Sequence, residues 1–203
     1  MDLKQDEYLT IVKSSEGLYK EKGSKFIALA FPVKTEEELK AIQLRLRKEY
    51  HDARHHCYAY RIGTSNMVYR TNDDGEPSGT AGKPIYGQIQ SFQLTNILVV
   101  VIRYFGGTKL GVPGLIRAYK TATQDVFQNA DIKLKTINNI ISFEFEYPDL
   151  NQVMRIIKED KPSILEQVFE MQCVMKLSIR QSLAAQLSGR LNKIKSLNNL
   201  ICE

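Results

Sequence analysis

Ile97-Leu98-Val99-Val100-Val101-Ile102-Arg103-Tyr104-Phe105-Gly106-Gly107-Thr108-Lys109-Leu110-Gly111-Val112-Pro113 decides how this chain is read. Its first six residues are apolar and mostly β-branched, the pattern of a strand buried on both faces. Such a run is far too short to cross a bilayer, which takes about 20 apolar residues. Arg103 and Tyr104 close the strand, the glycines turn the chain, and Pro113 suits the first position of a helix. Leu115, Ala118, Tyr119, Ala122 and Val126 then recur at helical spacing as a buried stripe, leaving Arg117, Lys120 and Gln124 on the wet side.

Upstream, Thr10-Ile11-Val12 and Lys25 to Phe31 are strand-like, separated by a charged, turn-prone stretch around Glu16-Gly17 and Lys22-Gly23. Thr35 followed by Glu36, Glu37 and Glu38 reads as a helix cap with acids in the first turn. Leu39, Ile42 and Leu46 mark the apolar face of that helix, and Arg45, Arg47 and Lys48 lie near its end. His55 to Ile62 and Met67 to Arg70 form a hairpin through Gly63-Thr64-Ser65-Asn66. The stretch Thr71 to Pro84 is dense in turn formers and reads as a loop.

Downstream of Asn129 the texture changes. Ile141, Phe143, Phe145 and Tyr147 alternate with polar residues as a half-buried strand, and Pro148-Asp149 opens a helix with Leu150, Val153 and Ile157 inward. Ile164 to Phe169 and Met171 to Ile179 follow as strands. Ser182 caps a helix lined by Leu183, Leu187, Leu191 and Ile194, and Leu197 to Cys202 makes a last short strand. The order βαββαβ is the ferredoxin-like pattern. The expectation is an α+β chain of two domains, a mixed α/β domain over 1–135 and a ferredoxin-like domain over 136–203, meeting near 133–138.

With 203 residues, 43% hydrophobic and 25% charged, the composition excludes wholesale disorder. The polar, acid-bearing start, Met1 to Glu7, is read as neither a signal peptide nor a transit peptide. Three scattered cysteines, Cys57, Cys173 and Cys202, read as reduced thiols, and the expected compartment is the cytoplasm. Residues 1–135 carry 20 basic and 15 acidic side chains, and residues 136–203 carry eight of each. The whole excess of +5 therefore sits in the first two thirds, which suits a phosphate-bearing partner better than a membrane.

Two glycine-rich loops hold the candidate chemistry. Gly82-Lys83 looks like the end of a Walker A loop, but Pro77 stands at its opening glycine and Pro84 at its Ser/Thr position. Gly106 to Gly111 follows a buried strand and precedes a helix without G-x-G-x-x-G spacing. What remains is an anion cradle of backbone N–H groups, with Arg103, Lys109 and Arg117 nearby, or else simply two tight turns. Asp73, Asp74 and Glu76 lack EF-hand spacing and read as a solvated turn. Strand alternation sends His55 and Cys57 to one face and His56 to the other, so they do not converge on a metal. Ser78 lies outside any G-x-S-x-G elbow. Tyr58, Tyr60, Tyr69, Tyr104 and Phe105 could stack bases, or serve as core and strand-face aromatics.

Three stretches, His55-His56-Cys57-Tyr58-Ala59-Tyr60-Arg61, Asp73 to Gly82 and Val101 to Gly111, closely resemble the signature of the IMPACT/YigZ family. The resemblance spans about residues 17–130, and the last third is similar in layout to the C-terminal domain of bacterial members. It implies a first domain of the type shared by a ribosomal protein and domain IV of elongation factor G, and a ferredoxin-like second domain. It implies a translation-associated regulator, with protein binding in eukaryotic relatives and nucleic-acid or ribosome binding in bacterial ones, and brings no settled catalytic activity. Val112-Pro113-Gly114 departs from the family's more glycine-rich Gly-Gly-Leu and should stiffen that loop.

The resulting expectation is a non-enzymatic cytoplasmic module that binds RNA, a ribosomal surface or a translation-related protein, with no cofactor, metal or membrane. Lys83, Arg103, Tyr104, Gly106, Gly107, Lys109 and Arg117 form the anion-binding patch, with Asp73, Asp74, Glu76 and Ser78 in the supporting loop. The two rivals are an enzyme acting on a phosphorylated or peptide-like small molecule in the same patch, and a pure protein-interaction module.

Overall fold

The computed structural model describes residues 3–65 and 67–203; Met1, Asp2 and Asn66, read above as parts of the N-terminal stretch and of a turn, lie outside them. The described chain divides into two compact units, Tyr8–Lys135 and Thr136–Glu203, and residues 3–7 group with the second. None of the described helices is long and apolar enough to cross a membrane.

The first unit runs β1 (Glu7–Ile11), β2 (Ser15–Glu21), β3 (Ser24–Pro32), α1 (Glu36–Glu49), β4 (His55–Ile62), β5 (Val68–Asn72), α2 (Gly82–Ser91), β6 (Ile97–Tyr104), α3 (Gly111–Gln128) and β7 (Ile132–Thr136). Five of its strands form one antiparallel sheet in the order β2-β3-β6-β4-β5, while β1 and β7 make a separate two-stranded ribbon. The apolar run at 97–102 is the central strand, and its alternation serves two cores. Val99 and Val101 meet Phe26, Ala28, Ile85, Leu115 and Tyr119 on the α2/α3 side, while Leu98, Val100 and Ile102 meet Ile27, Leu39 and Leu46 on the α1 side. A strand sandwiched by helices on both faces must be apolar at every position, which is why this one lacks the usual alternation.

Local signals fix several boundaries. Thr35 accepts a hydrogen bond from the Glu38 N–H at 3.3 Å, and the Glu38 carboxylate accepts from the Thr35 N–H at 3.4 Å, a reciprocal capping box at the start of α1. Lys22 and Gly23, both at positive φ, turn β2 into β3. Three expectations change. The stretch around Glu16-Gly17 is strand β2 rather than a turn, because Gly17 lets α3 lie against it: a Cβ there would stand 2.4 Å from the Val126 nitrogen. The end of the presumed 71–84 loop, with residues beyond it, forms α2, which starts on Gly82 where a Cβ would stand 2.7 Å from the Asn72 nitrogen. Pro113 occupies the third helical position of α3, not the first, still within the turn whose N–H groups lack helical partners.

The second unit runs β8 (Asn138–Glu146), a 3₁₀ turn (Tyr147–Asp149), α4 (Leu150–Asp160), β9 (Ser163–Val168), β10 (Gln172–Arg180), α5 (Gln181–Leu191) and β11 (Asn198–Cys202). Its sheet order β11-β8-β10-β9 with antiparallel neighbours is the ferredoxin-like arrangement. Phe143, Phe145, Met175 and Leu177 pack on Val153, Ile157, Leu187 and Leu191. Tyr147, Met171 and Leu183, expected inward, are exposed. Ser182 does not cap α5 with its side chain; its N–H donates to the Asp6 carboxylate at 3.2 Å. Arg180 donates to the same carboxylate at 2.6 and 2.7 Å and to Glu7 at 2.7 Å. The N-terminal segment thus supplies the anion at the start of α5.

Two outcomes are expected. Gly17→Ala should destabilise the first unit by about 1–3 kcal/mol, read as a lower guanidinium midpoint, because helix backbone cannot yield to the new methyl. The Arg180 guanidinium holds the Asp6 carboxyl well below the usual carboxylate range. A lowered carboxyl pKa adds stability above the unfolded-state value near 3.8, lost as pH falls below it. The second unit of Asp6→Asn should therefore be less stable at neutral pH and lose less stability on acidification, measured by its unfolding from pH 7 to pH 2.

Candidate functional site

Alternation along the end of β6 sends Arg103 toward α3 and Tyr104 to the other face of the sheet. Arg103 pairs across the sheet with Phe26 of β3 and His55 of β4. The loop between β5 and α2 crosses the same end of the sheet, and its acids hold it there. The Asp73 carboxylate accepts N–H bonds from Gly79, Ala81 and Gly82 at 2.8 to 3.0 Å, which caps the start of α2. Asp74, at positive φ before Gly75, accepts from the His56 N–H at 2.6 Å and from Arg47 at 2.7 Å. Its carbonyl lies 2.8 Å from His55 Nδ1. No cluster of three His, Cys, Asp or Glu able to hold a metal occurs among the described residues.

Glu76 points inward from this loop. Its Oε1 accepts from Arg103 Nη1 at 2.6 Å and from the Tyr119 hydroxyl of α3 at 2.8 Å. Both charged side chains are buried, with 7% and 3% of their surfaces exposed. The Cys57 thiol of β4 stands 3.2 Å from the same hydroxyl and 2.9 Å from the Asp73 carbonyl. Burial pushes the Cys57 thiol and the Tyr119 phenol far up, so both stay protonated. The Arg103 guanidinium lies over two aromatic rings, Phe26 at 5.4 Å and Phe105 at 5.7 Å. One charge pair therefore joins β6, the β5–α2 loop and α3.

Above the pair lies a cavity of about 470 Å³. Glu76 and Arg103 line it with Arg54 and His55 from the start of β4, Pro77, Phe105 and Lys109 from the loops, and Leu110, Gly111, Val112 and Leu115 from the start of α3. Arg54 and Lys109 are exposed and enter no salt bridge among the described residues. Leu110, at the N-cap of α3, offers no side-chain cap, and Pro113 has no N–H, so the Gly111 and Val112 N–H groups are those left beside them. Cations, uncapped amides and apolar walls can hold an anionic group attached to an apolar or aromatic body.

The Impact N-terminal domain matches residues 22–127, a span that takes in the whole of this site. The chain belongs to the IMPACT family. An IMPACT family member of Haemophilus influenzae is 32% identical over 204 aligned positions, covering all of this chain and 90% of that protein. The family member YvyE of Bacillus subtilis is 33% identical over 154 positions, covering 76% of this chain and 71% of that one. A crystal structure of a hypothetical protein aligns with a TM-score of 0.70 at 27% identity, covering 97% of each chain.

Within this IMPACT domain, the residues expected to form one patch separate. Glu76, Arg103 and Lys109 share the cavity. Tyr104 does not; its hydroxyl donates to Asp52 at 2.7 Å, a bond that raises its pKa to about 12. Arg117 donates to Glu21 at 2.8 Å, and the Lys83 stem runs beside Gly79. Asp73 and Asp74 serve the loop, and exposed Ser78 does not line the cavity. Gly106 is a packing glycine: a Cβ would stand 1.9 Å from the Gly23 carbonyl carbon, and its N–H donates to Ser24 Oγ at 3.1 Å. Gly107, at φ 85° with open space beside it, makes the turn. Arg54 was not among the expected site residues, and its one signal is its place just ahead of the strand that pairs with β6. Tyr119, read only as core, carries a functional hydroxyl that helical spacing does not reveal.

Removing the Glu76 carboxylate should leave the Arg103 charge buried and unanswered. Glu76→Ala should cost about 3–5 kcal/mol in denaturant unfolding of the first unit. The double variant Glu76→Leu with Arg103→Met, which removes both charges, should recover much of that loss.

Proposed function

We propose that this IMPACT family member is a translation-associated regulator whose first unit binds RNA by its phosphates. The observation that carries the reading is the cavity at the start of α3, where Arg54 and Lys109 are exposed and, among the described residues, in no salt bridge, beside the Gly111 and Val112 N–H groups. Arg103, though cationic, is already neutralised by Glu76 and buried; it shapes the site instead of adding free charge. The excess of basic residues over 1–135 agrees in sign with a polyanionic partner. The translational role follows from the family resemblance.

The chemistry favours a binder over an enzyme. The Cys57 thiol and the Tyr119 phenol are wholly buried and held protonated, Glu76 is engaged by Arg103 and Tyr119, His55 Nδ1 by the Asp74 carbonyl, and Asp73 and Asp74 by backbone N–H groups. Groups so committed cannot readily exchange protons with a substrate.

Phosphate contacts release counterions, so their number sets the salt dependence of binding. Lys109→Ala and Arg54→Ala should each weaken binding to single-stranded RNA for different sequences alike. Each should also flatten the slope of log affinity against log salt by about 0.7. Arg117→Ala should leave the slope nearly unchanged, since that side chain is paired with Glu21 away from the cavity. A salt series with each variant, run beside ribosome co-sedimentation of the wild type, tests the assignment. Absence of salt-dependent affinity for RNA or ribosomes would overturn it.

A further inference from the structure

The apolar side of the cavity has no part in phosphate binding, yet it is built with care. Phe105 follows the last residue of β6, and half of its surface is exposed. An exposed phenyl ring at a loop tip is ordinarily free to move. This one has the Arg103 guanidinium over it at 5.7 Å, and that guanidinium is fixed by the Phe26 ring at 5.4 Å and by Glu76, itself hydrogen-bonded to Tyr119. The following residue is fixed as well, because Gly106 packs directly on the backbone of Gly23 and Ser24. A half-exposed aromatic ring with a fixed cation over it offers a supported platform whose remaining surface can take a second partner.

Size and charge narrow what that face takes. A space of about 470 Å³ suits a small-molecule-sized body and excludes a base-paired helix, whose bases are enclosed in the duplex. Lys109 and Arg54 line the same cavity and can meet phosphates on either side of a flat ring. We infer that Phe105 is a stacking platform for one unpaired base of single-stranded RNA, with the Arg103–Glu76 pair as its positioning support. The inference rests on the RNA reading above and adds to it the form of RNA and the residue that holds a base. Stacking on a phenyl ring tolerates any base, so strand form rather than sequence should be discriminated.

The test uses the full chain, a single-stranded oligoribonucleotide carrying one 2-aminopurine, and the same strand annealed to its complement. The expected results are tighter binding of the single strand and a change in 2-aminopurine fluorescence on binding. Phe105→Ala should weaken binding by about 5- to 150-fold, the range of one base stacked on an aromatic side chain, without changing the salt slope. Phe105→Tyr should restore it, whereas Phe105→Leu, apolar but without a ring, should not. Unfolding curves of the Leu and Tyr variants keep loss of fold apart from loss of stacking. Salt-dependent RNA binding that Phe105→Leu leaves intact, or equal affinity for the duplex, would overturn the platform while leaving the phosphate assignment standing. Loss of all salt-dependent RNA binding in the wild type would overturn both.

Discussion

Arg103 leaves an otherwise apolar central strand and is met, inside the protein, by a glutamate 27 residues earlier in the chain. An isolated charge in that position would cost several kcal/mol, so the arginine depends on the glutamate that the β5–α2 loop brings to it. Glu76 in turn needs a second donor, which the Tyr119 hydroxyl of α3 provides. The pair therefore fixes one loop, one strand end and one helix relative to one another. The cavity is what remains between them. Its free cations, Arg54 and Lys109, stand around a salt bridge that has already spent its own charge.

The glycines divide by physical role rather than by sequence neighbourhood. Gly17, Gly82 and Gly106 are places where another backbone comes too close for a Cβ. Gly23, Gly75 and Gly107 are places where the chain turns through positive φ. In sequence Gly82, Gly106 and Gly107 look alike, as members of phosphate-binding loops. Gly111, at φ 72° in the first turn of α3, is the glycine on the cavity wall. Asp73 and Asp74 show the same economy: carboxylates that resemble a metal or acid–base group are consumed, Asp73 by N–H groups of its own loop and the start of α2, Asp74 by the His56 N–H of β4 and by Arg47 of α1.

Much of the first unit was legible because its signals are local. The buried strand at 97–102, the helix cap at Thr35 with its first-turn acids, the β4–β5 hairpin and the stripe of α3 each depend on periodicity or on residues within one turn. Strand β2 was not legible. It is an edge strand whose exposed positions carry Glu16, Leu18 and Lys20, and its glycine is explained by a helix more than 100 residues away in sequence. Helix α2 was hidden in the same way, since Gly82 and Pro84 look like loop residues until Asn72 and the Asp73 carboxylate are placed beside its first turn. Ser182 looked like a cap, but the oxygen that does the capping belongs to Asp6, 176 residues earlier.

The sequence by itself determined that the chain has two differently patterned parts, that its basic excess lies in the first, and that the 73–82 and 103–111 loops belong to a recognisable family. Those properties are one-dimensional: composition, spacing and order survive without coordinates. Tertiary structure alone decided which members of the loops meet. It put Arg103, Lys109 and Glu76 around one cavity and brought in Arg54, while sending Tyr104 to Asp52 and Arg117 to Glu21. The reason is the period of a strand, which turns adjacent residues such as Arg103 and Tyr104 to opposite faces, and the long-range pairing that chooses which face becomes a site.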